Sequence, residues 1–166
     1  MDISNSTQPP RLVAVIDIGA SSVRMQIAEI NQTTFGVRRI ESFSQAISIG
    51  SDSFTERRIR RSTIENCVAV LNAYRKKLDE YGIVDPDQIR VVATSGVREA
   101  GNQLAFVDRV YVATGFEIEP FDEAELHRVI YLGMLPFIEN QSKYFAEESL
   151  ISVSYTHLTL PTKRIV

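Results

Sequence analysis

Acids, hydroxyls and arginines come together in three short runs of this chain. The first is Val13-Ala14-Val15-Ile16-Asp17-Ile18-Gly19-Ala20-Ser21-Ser22-Val23-Arg24. A carboxylate at the end of an apolar run, followed by Gly and small hydroxyl residues, lies beside accessible backbone N–H groups. Such a turn can hold an anion while Asp17 engages a metal ion or its bound water. Ser21 and Ser22 can donate to phosphate oxygens, and Arg24 adds positive charge. The same residues also suit an ordinary hairpin turn, in which Asp and Gly serve turn geometry alone.

The second run is Val91-Val92-Ala93-Thr94-Ser95-Gly96-Val97-Arg98-Glu99-Ala100-Gly101-Asn102. A strand passes into a helix through Thr94-Ser95-Gly96, so the N–H groups and hydroxyls of the turn face whatever lies beyond the strand's carboxyl end. Arg98 supplies a guanidinium fork suited to bidentate contact with phosphate. The plainer alternative has Thr94 and Ser95 capping a helix while Arg98 pairs with Glu99. In the third run, Asp122-Glu123-Ala124-Glu125-Leu126-His127-Arg128, Asp122 and Glu125 have the spacing of an N-cap and its reciprocal partner. His127 reads as a surface or partly buried helix residue. Outside these runs, Arg57, Arg58, Arg60 and Arg61 form a basic cluster that suits either a polyanion or a solvated helix face with Glu56 and Glu65.

These runs need elements to hold them. Leu12 to Ile18 is a β-branched strand, the alternation of Val23, Met25 and Ile27 marks a second, and a third is expected from about Thr33 to Phe43. Gly50-Ser51-Asp52-Ser53 reads as the turn that closes this part of the sheet. Between Ile59 and Tyr81 the period changes, with Ile64, Cys67, Val68, Leu71, Tyr74, Leu78 and Tyr81 on one stripe of a long helix stopped by Gly82. Cys67 lies on that stripe, which points to burial rather than reactivity. Gln88 to Ser95 is expected as a strand, Asn102 to Thr114 as a helix, Phe116 to Pro120 as a strand, and a last helix starts at Asp122. The order is β-β-β-α-β-α-β-α, an α/β fold with a mixed sheet, and a further strand begins near Ile151.

Together the first two runs resemble the exopolyphosphatase and guanosine pentaphosphate phosphohydrolase family. The resemblance extends over nearly all of residues 12 to 151. It rests on the loop from Asp17 to Arg24, the more specific signature from Ala93 to Asn102, the Ile118-Glu119 strand and the run Ile130-Tyr131-Leu132-Gly133. It implies a ribonuclease-H-like lobe of the actin, sugar-kinase and heat-shock ATPase superfamily, paired in such proteins with a second lobe that this chain does not contain. The implied activity is removal of terminal phosphate from polyphosphate or guanosine pentaphosphate with a divalent metal, usually Mg²⁺. It also implies that Asp17 holds the metal, that Gly19, Ser21, Ser22, Arg24, Thr94, Ser95 and Arg98 bind phosphate, and that the parent protein is a homodimer. The family's second phosphate loop would follow Leu150-Ile151 and has no counterpart here. Aligned backwards from Tyr131-Leu132-Gly133, Leu126 stands where the family places the Glu that activates water, which leaves the neighbouring Glu125 as the catalytic candidate. Two other readings follow: an actin-like nucleotide-binding assembly protein, from the Asp17 loop, and a noncatalytic phosphate or alarmone binder, from Leu126.

Composition narrows the setting. The 166 residues are 44% hydrophobic and 23% charged, with one Cys, no Trp and a net charge of −3, an ordinary globular balance. A lone Cys forms no internal disulfide, and the mild acidity argues against duplex nucleic-acid binding. The longest apolar stretch, Val129 to Ile138, is interrupted by Gly133 and Pro136 and is too short to span a bilayer. Residues 1–10 are polar, without a signal pattern, and are expected to be disordered. A cytoplasmic protein without membrane partners is the expectation. Residues 11–151 read as a partial phosphatase lobe. Val153 to Thr162 resembles the translation of a transposon-end sequencing adapter, so residues 152–166 are expected to be a non-native tail.

Overall fold

The computed structural model describes residues 9–34, 36–140, 150–153 and 156–159. It divides into two compact units, residues 1–121 and 122–166. The first holds five strands: β1 (Arg11–Ile18), β2 (Ser22–Ile30), β3 (Val37–Ala46), β4 (Ile89–Ala93) and β5 (Ile118–Pro120). Their order in the sheet is β3-β2-β1-β4-β5. β1 pairs antiparallel with β2 and parallel with β4, so the sheet changes from antiparallel to parallel at β1. This is the mixed α/β sheet expected from three leading strands followed by helical crossovers.

Period-two alternation gives the sheet an apolar face of Ala14, Ile16 and Ile18 on β1, Val23, Met25 and Ile27 on β2, and Val91 and Ala93 on β4, all buried. The long helix α2 (Arg61–Glu80) joins the core by the stripe Ile64, Cys67, Val68, Leu71, Tyr74 and Leu78. Tyr74 also donates its hydroxyl proton to the Val23 carbonyl at 2.9 Å, which keeps the one polar atom of that buried ring paired. Gly82, at φ +69°, follows the C-cap residue Tyr81 of α2, and Gly115, at φ +70°, caps α4 (Gln103–Thr114), both in the left-handed region that glycine adopts without steric cost. Arg75 stacks 3.8 Å above the Phe116 ring and donates to the Thr114 carbonyl at 3.0 Å, joining α2 to the end of α4.

Three expectations change. The third strand begins at Val37, not near Thr33, because the Asn31 side chain accepts from the N–H groups of Thr33 and Thr34, each at 2.9 Å, and so makes a turn of residues that alternation alone would extend. The Gly50–Ser53 run is helical. It lies in α1 (Ile49–Glu56), where Asp52 and Ser53 are buried and bonded rather than exposed at a turn. The strand expected over Gln88–Ser95 ends at Ala93, and Ser95–Arg98 form the short helix α3.

The second unit contains α5 (Glu123–Asn140) and an antiparallel pair, β6 (Leu150–Val153) with β7 (Thr156–Thr159). Strand pairing thus runs beyond Ile151 into residues whose sequence shows no strand alternation. Most of the expected tail and the first eight residues lie outside the described residues. Among the described residues no helix is long and apolar enough to cross a membrane.

Candidate functional site

Both hydroxyl-bearing turns leave the carboxyl ends of neighbouring parallel strands. β1 ends at Ile18 and β4 at Ala93, which are paired residues in the ladder, and the Thr94 N–H extends that ladder to the Ile18 carbonyl at 3.2 Å. The residues after Ile18 and those after Ala93 therefore start side by side. In open α/β sheets, ligands bind outside the carboxyl ends of strands, where strand direction or order changes.

The first turn is closed by Gly19 N–H donating to the Ser22 carbonyl at 2.9 Å. The Ala20 and Ser21 carbonyls are also occupied, Ala20 by Gly50 N–H at 2.7 Å and Ser21 by Ile47 N–H at 3.1 Å. These three acceptors are satisfied, and the turn has donors left over: the N–H groups of Ala20 and Ser21 meet no acceptor among the described residues. A concavity of spare N–H groups favours an anion.

Asp17 sits one residue before the end of β1, on the sheet face opposite the apolar core, directly across the ladder from Arg24. Its Oδ1 is buried and has no hydrogen-bond partner among the described residues. Burial raises its proton affinity above the ordinary carboxylate value, and the nearby Arg24 charge opposes that rise without cancelling it. Arg24 donates from Nε to the Ser22 Oγ at 3.1 Å, which leaves the Ser22 hydroxyl proton free to point elsewhere. Ser21 is exposed.

In the second turn, Thr94 occupies the N-cap of α3 but makes no side-chain capping bond. The Val97 and Arg98 N–H groups, each at 3.1 Å, go instead to the Thr94 carbonyl. The hydroxyls of Thr94 and Ser95 thus remain without partners among the described residues, which sets aside the capping alternative. Arg98 is committed locally: Nη1 donates to the Phe121 carbonyl at 3.2 Å and Nη2 lies 3.4 Å from Glu99 Oε1. It fastens α3 to the chain after β5.

An unpaired, buried carboxylate oxygen beside spare amide donors is a natural ligand for a hydrated divalent cation. Mg²⁺ is commonly held through one or two carboxylates, with water and substrate phosphate completing its shell. Among the described residues no three His, Cys, Asp or Glu side chains cluster. Asp17 fits the single-carboxylate kind of site.

In the second unit, the Asp122 carboxylate accepts from Glu125 N–H at 2.7 Å, the N-cap expected from spacing. The reciprocal half differs. Glu125 turns to Arg128, which donates from Nε at 2.8 Å and from Nη2 at 2.7 Å. That fork lowers the carboxyl's proton affinity, so Glu125 as it stands is a weak base. Leu126 follows in the first turn of α5, and His127 is half-buried.

Of the basic cluster, Arg60 pairs with Glu56 and with buried Asp52 at 3.5 Å, and the Arg58 charge also acts on Glu56. Sequence reasoning missed the residues that lock these loops together. Asp52 Oδ2 accepts from Arg60 N–H at 3.0 Å and from the Thr63 hydroxyl at 2.6 Å. Asn102 clamps Ile59 through its amide, and Ser53 donates to the Gly96 carbonyl. Asp52 and Ser53 stand in a Gly-Ser-Asp-Ser run with no helical periodicity, so no sequence signal marked them.

Residues 26–145 match the model of the Ppx/GppA phosphatase family. A bifunctional 3-dehydroquinate synthase/phosphatase from Fusobacterium nucleatum is 30% identical over 110 residues, 64% of this chain and 16% of that protein. A crystal structure of the Aquifex aeolicus member of the Ppx/GppA family superposes with a TM-score of 0.69 at 25% identity, covering 92% of this chain and 52% of that one. A second Aquifex aeolicus structure of a Ppx/GppA enzyme gives a TM-score of 0.61 at 32% identity, over 68% of this chain and 36% of that one. An exopolyphosphatase from Cytophaga hutchinsonii shares the fold, with a TM-score of 0.62 at 23% identity over 69% of this chain and 35% of that one. The chain thus spans about half or less of the length of these relatives.

Proposed function

The chain belongs to the Ppx/GppA phosphatase family, and from that premise we propose that it forms the N-terminal part of a metal-dependent phosphohydrolase. The substrate is a terminal phosphate of polyphosphate or of guanosine pentaphosphate, and the parent acts in the cytoplasm as a homodimer.

The observation that carries the proposal is the pairing of two donor-rich turns around one unpartnered carboxylate oxygen, that of Asp17. The turn of Gly19, Ala20, Ser21 and Ser22 offers N–H groups and hydroxyl protons to phosphate oxygens. Thr94 and Ser95 add two hydroxyls from the next strand. Arg24 contributes positive charge beside Asp17, and Arg98 holds the second turn while keeping its remaining N–H donors for a polyanion. Phosphoryl transfer depends mostly on such positioning and charge stabilisation. A carboxylate set among anion-binding donors would repel phosphate by itself, so a cation between them resolves the conflict. A divalent ion held by Asp17 would neutralise phosphate charge and make the phosphorus a better electrophile.

The weak point of catalysis is the base. Leucine accepts no proton, and Glu125 serves only if Arg128 releases it. This supports a second reading, a phosphate or alarmone binder of the same fold. Phosphate release by the parent protein from polyphosphate and from guanosine pentaphosphate, with and without Mg²⁺, tests the proposal. Metal-dependent release upholds it. Binding of these substrates without turnover favours the second reading, and neither binding nor turnover overturns both.

A further inference from the structure

Helix α1 touches both turns, and at the points of contact there is no room for a side chain. A Cβ placed on Gly50 would lie 2.7 Å from the Ala20 Cβ, 3.0 Å from the Phe54 ring and 3.2 Å from the Ala20 carbonyl oxygen. A Cβ on Gly96, in α3, would lie 3.0 Å from the Ala20 Cα and 3.4 Å from its Cβ. Ala20, in the middle of the first turn, is therefore held between a glycine of α1 and a glycine of the second turn. Hydrogen bonds fix the same junction. Gly50 N–H donates to the Ala20 carbonyl at 2.7 Å, and Ser53, one helical turn later, donates its hydroxyl proton to the Gly96 carbonyl in a buried site.

We infer that α1 is the positioning element of the site: Gly50 and Ser53 set the spacing between the Ala20 and Gly96 turns, and Ala20 is the spacer that defines it. The inference rests on the reading of the two turns as one phosphate site. Gly50 and Ser53 touch no ligand in this scheme. They act by fixing where the Ala20, Ser21 and Ser95 donors stand relative to each other. Binding a chain of phosphates across two turns is sensitive to that distance, because donors misplaced by about 1 Å lose much of their contribution. A methyl at position 50 pushes Ala20 away, and removing the methyl at position 20 relieves the tightest of its contacts, leaving the Phe54 ring to turn aside.

The test uses the full 166-residue chain with inorganic tripolyphosphate and magnesium chloride, followed by calorimetry and by backbone amide spectra. Gly50→Ala is expected to weaken tripolyphosphate binding at least tenfold and to shift the amide signals of Ser95 to Arg98, on the other turn. The double variant Gly50→Ala with Ala20→Gly is expected to restore affinity to within about threefold and to return those signals toward their original positions. Should Gly50→Ala fail to fold, Ser53→Ala, which removes one hydrogen bond and adds no bulk, is expected to weaken binding and move the same signals. Folded Gly50→Ala protein with unchanged affinity and unchanged Ser95 to Arg98 signals would overturn the inference, as would a double variant as impaired as the single one. Absence of tripolyphosphate binding by the unaltered chain contradicts the functional reading instead, and the amide signals then judge the positioning claim alone.

Discussion

Asn102 serves as a strand partner for Ile59. Its Oδ1 accepts from the Ile59 N–H at 2.8 Å and its Nδ2 donates to the Ile59 carbonyl at 2.9 Å, so both backbone groups of a fully buried residue are satisfied by one side chain. The Gly101 N–H adds a bond to the Arg57 carbonyl at 2.8 Å. The loop between α1 and α2 is stitched in this way to the end of the signature that carries the second turn.

Truncation of that amide leaves a donor and an acceptor unpaired in the interior. Asn102→Ala is expected to cost roughly 2–3 kcal/mol, seen as a lower urea midpoint with an unchanged slope. Asn102→Asp keeps the acceptor but sets a carboxylate oxygen against the Ile59 carbonyl, so its loss at neutral pH should be at least as large. Equal stability of all three proteins would show that the clamp is not formed.

Asp17 gives a pH signature. Burial raises its folded-state pKa above the ordinary carboxylate value of 3.8, with Arg24 opposing. The folded chain therefore holds this proton more tightly than the unfolded one. The associated stability is complete below the unfolded value and is lost as pH rises through the folded one. Asp17→Asn should be more stable than the parent sequence at neutral pH, by on the order of 1 kcal/mol, and the gap should close on acidification. Thermal melts from pH 4 to 8 measure this. Magnesium chloride should raise the melting temperature of the parent sequence and leave that of the Asn variant unchanged.

Cys67 is sealed in the core, and burial pushes its thiol up to about 12. The thiolate needed for alkylation is scarce and out of reach. Iodoacetamide at pH 8 is expected to label the native chain only as fast as it opens, and to label it fully in urea. Rapid native labelling would contradict the packing of α2 on the sheet.

On α5, Leu126 and the Glu125–Arg128 pair set the catalytic prediction. In the parent protein, Leu126→Glu is expected to raise phosphate release by about 100-fold, the usual worth of a positioned base. If the unaltered parent is already fast and Leu126→Glu changes nothing, another base serves, and Glu125 is the candidate to test. Loss of turnover in Glu125→Gln would identify Glu125 as that base, and retained turnover would place it elsewhere; Leu126 would not be what limits catalysis in either case.

Much of the sheet and its helices were legible because alternation at Val23, Met25 and Ile27 and the stripe from Ile64 to Leu78 report burial directly. The Asp122 N-cap was legible from spacing, since capping is local. Helix α1 was not. Gly, Ser and Asp in succession carry a turn signal, and what makes the segment helical is tertiary: Gly50 against Ala20, Asp52 accepting from Arg60 and Thr63, Ser53 reaching Gly96. Chemistry-bearing residue types at Asp17, Ser22, Thr94 and Ser95 stood out in the sequence. Their side-by-side origin did not, because it depends on the parallel register of Ile18 with Ala93 across more than seventy residues of chain.

The most direct measurement of the central claim is a backbone amide titration of the 166-residue chain with tripolyphosphate and Mg²⁺, repeated with Asp17→Asn. A paired phosphate site predicts that the Ala20, Ser21, Ser95 and Gly96 signals move together with one saturation curve, and that Asp17→Asn removes the dependence on Mg²⁺. Movement of only one turn, or of signals elsewhere on the chain while these four stay fixed, would contradict it.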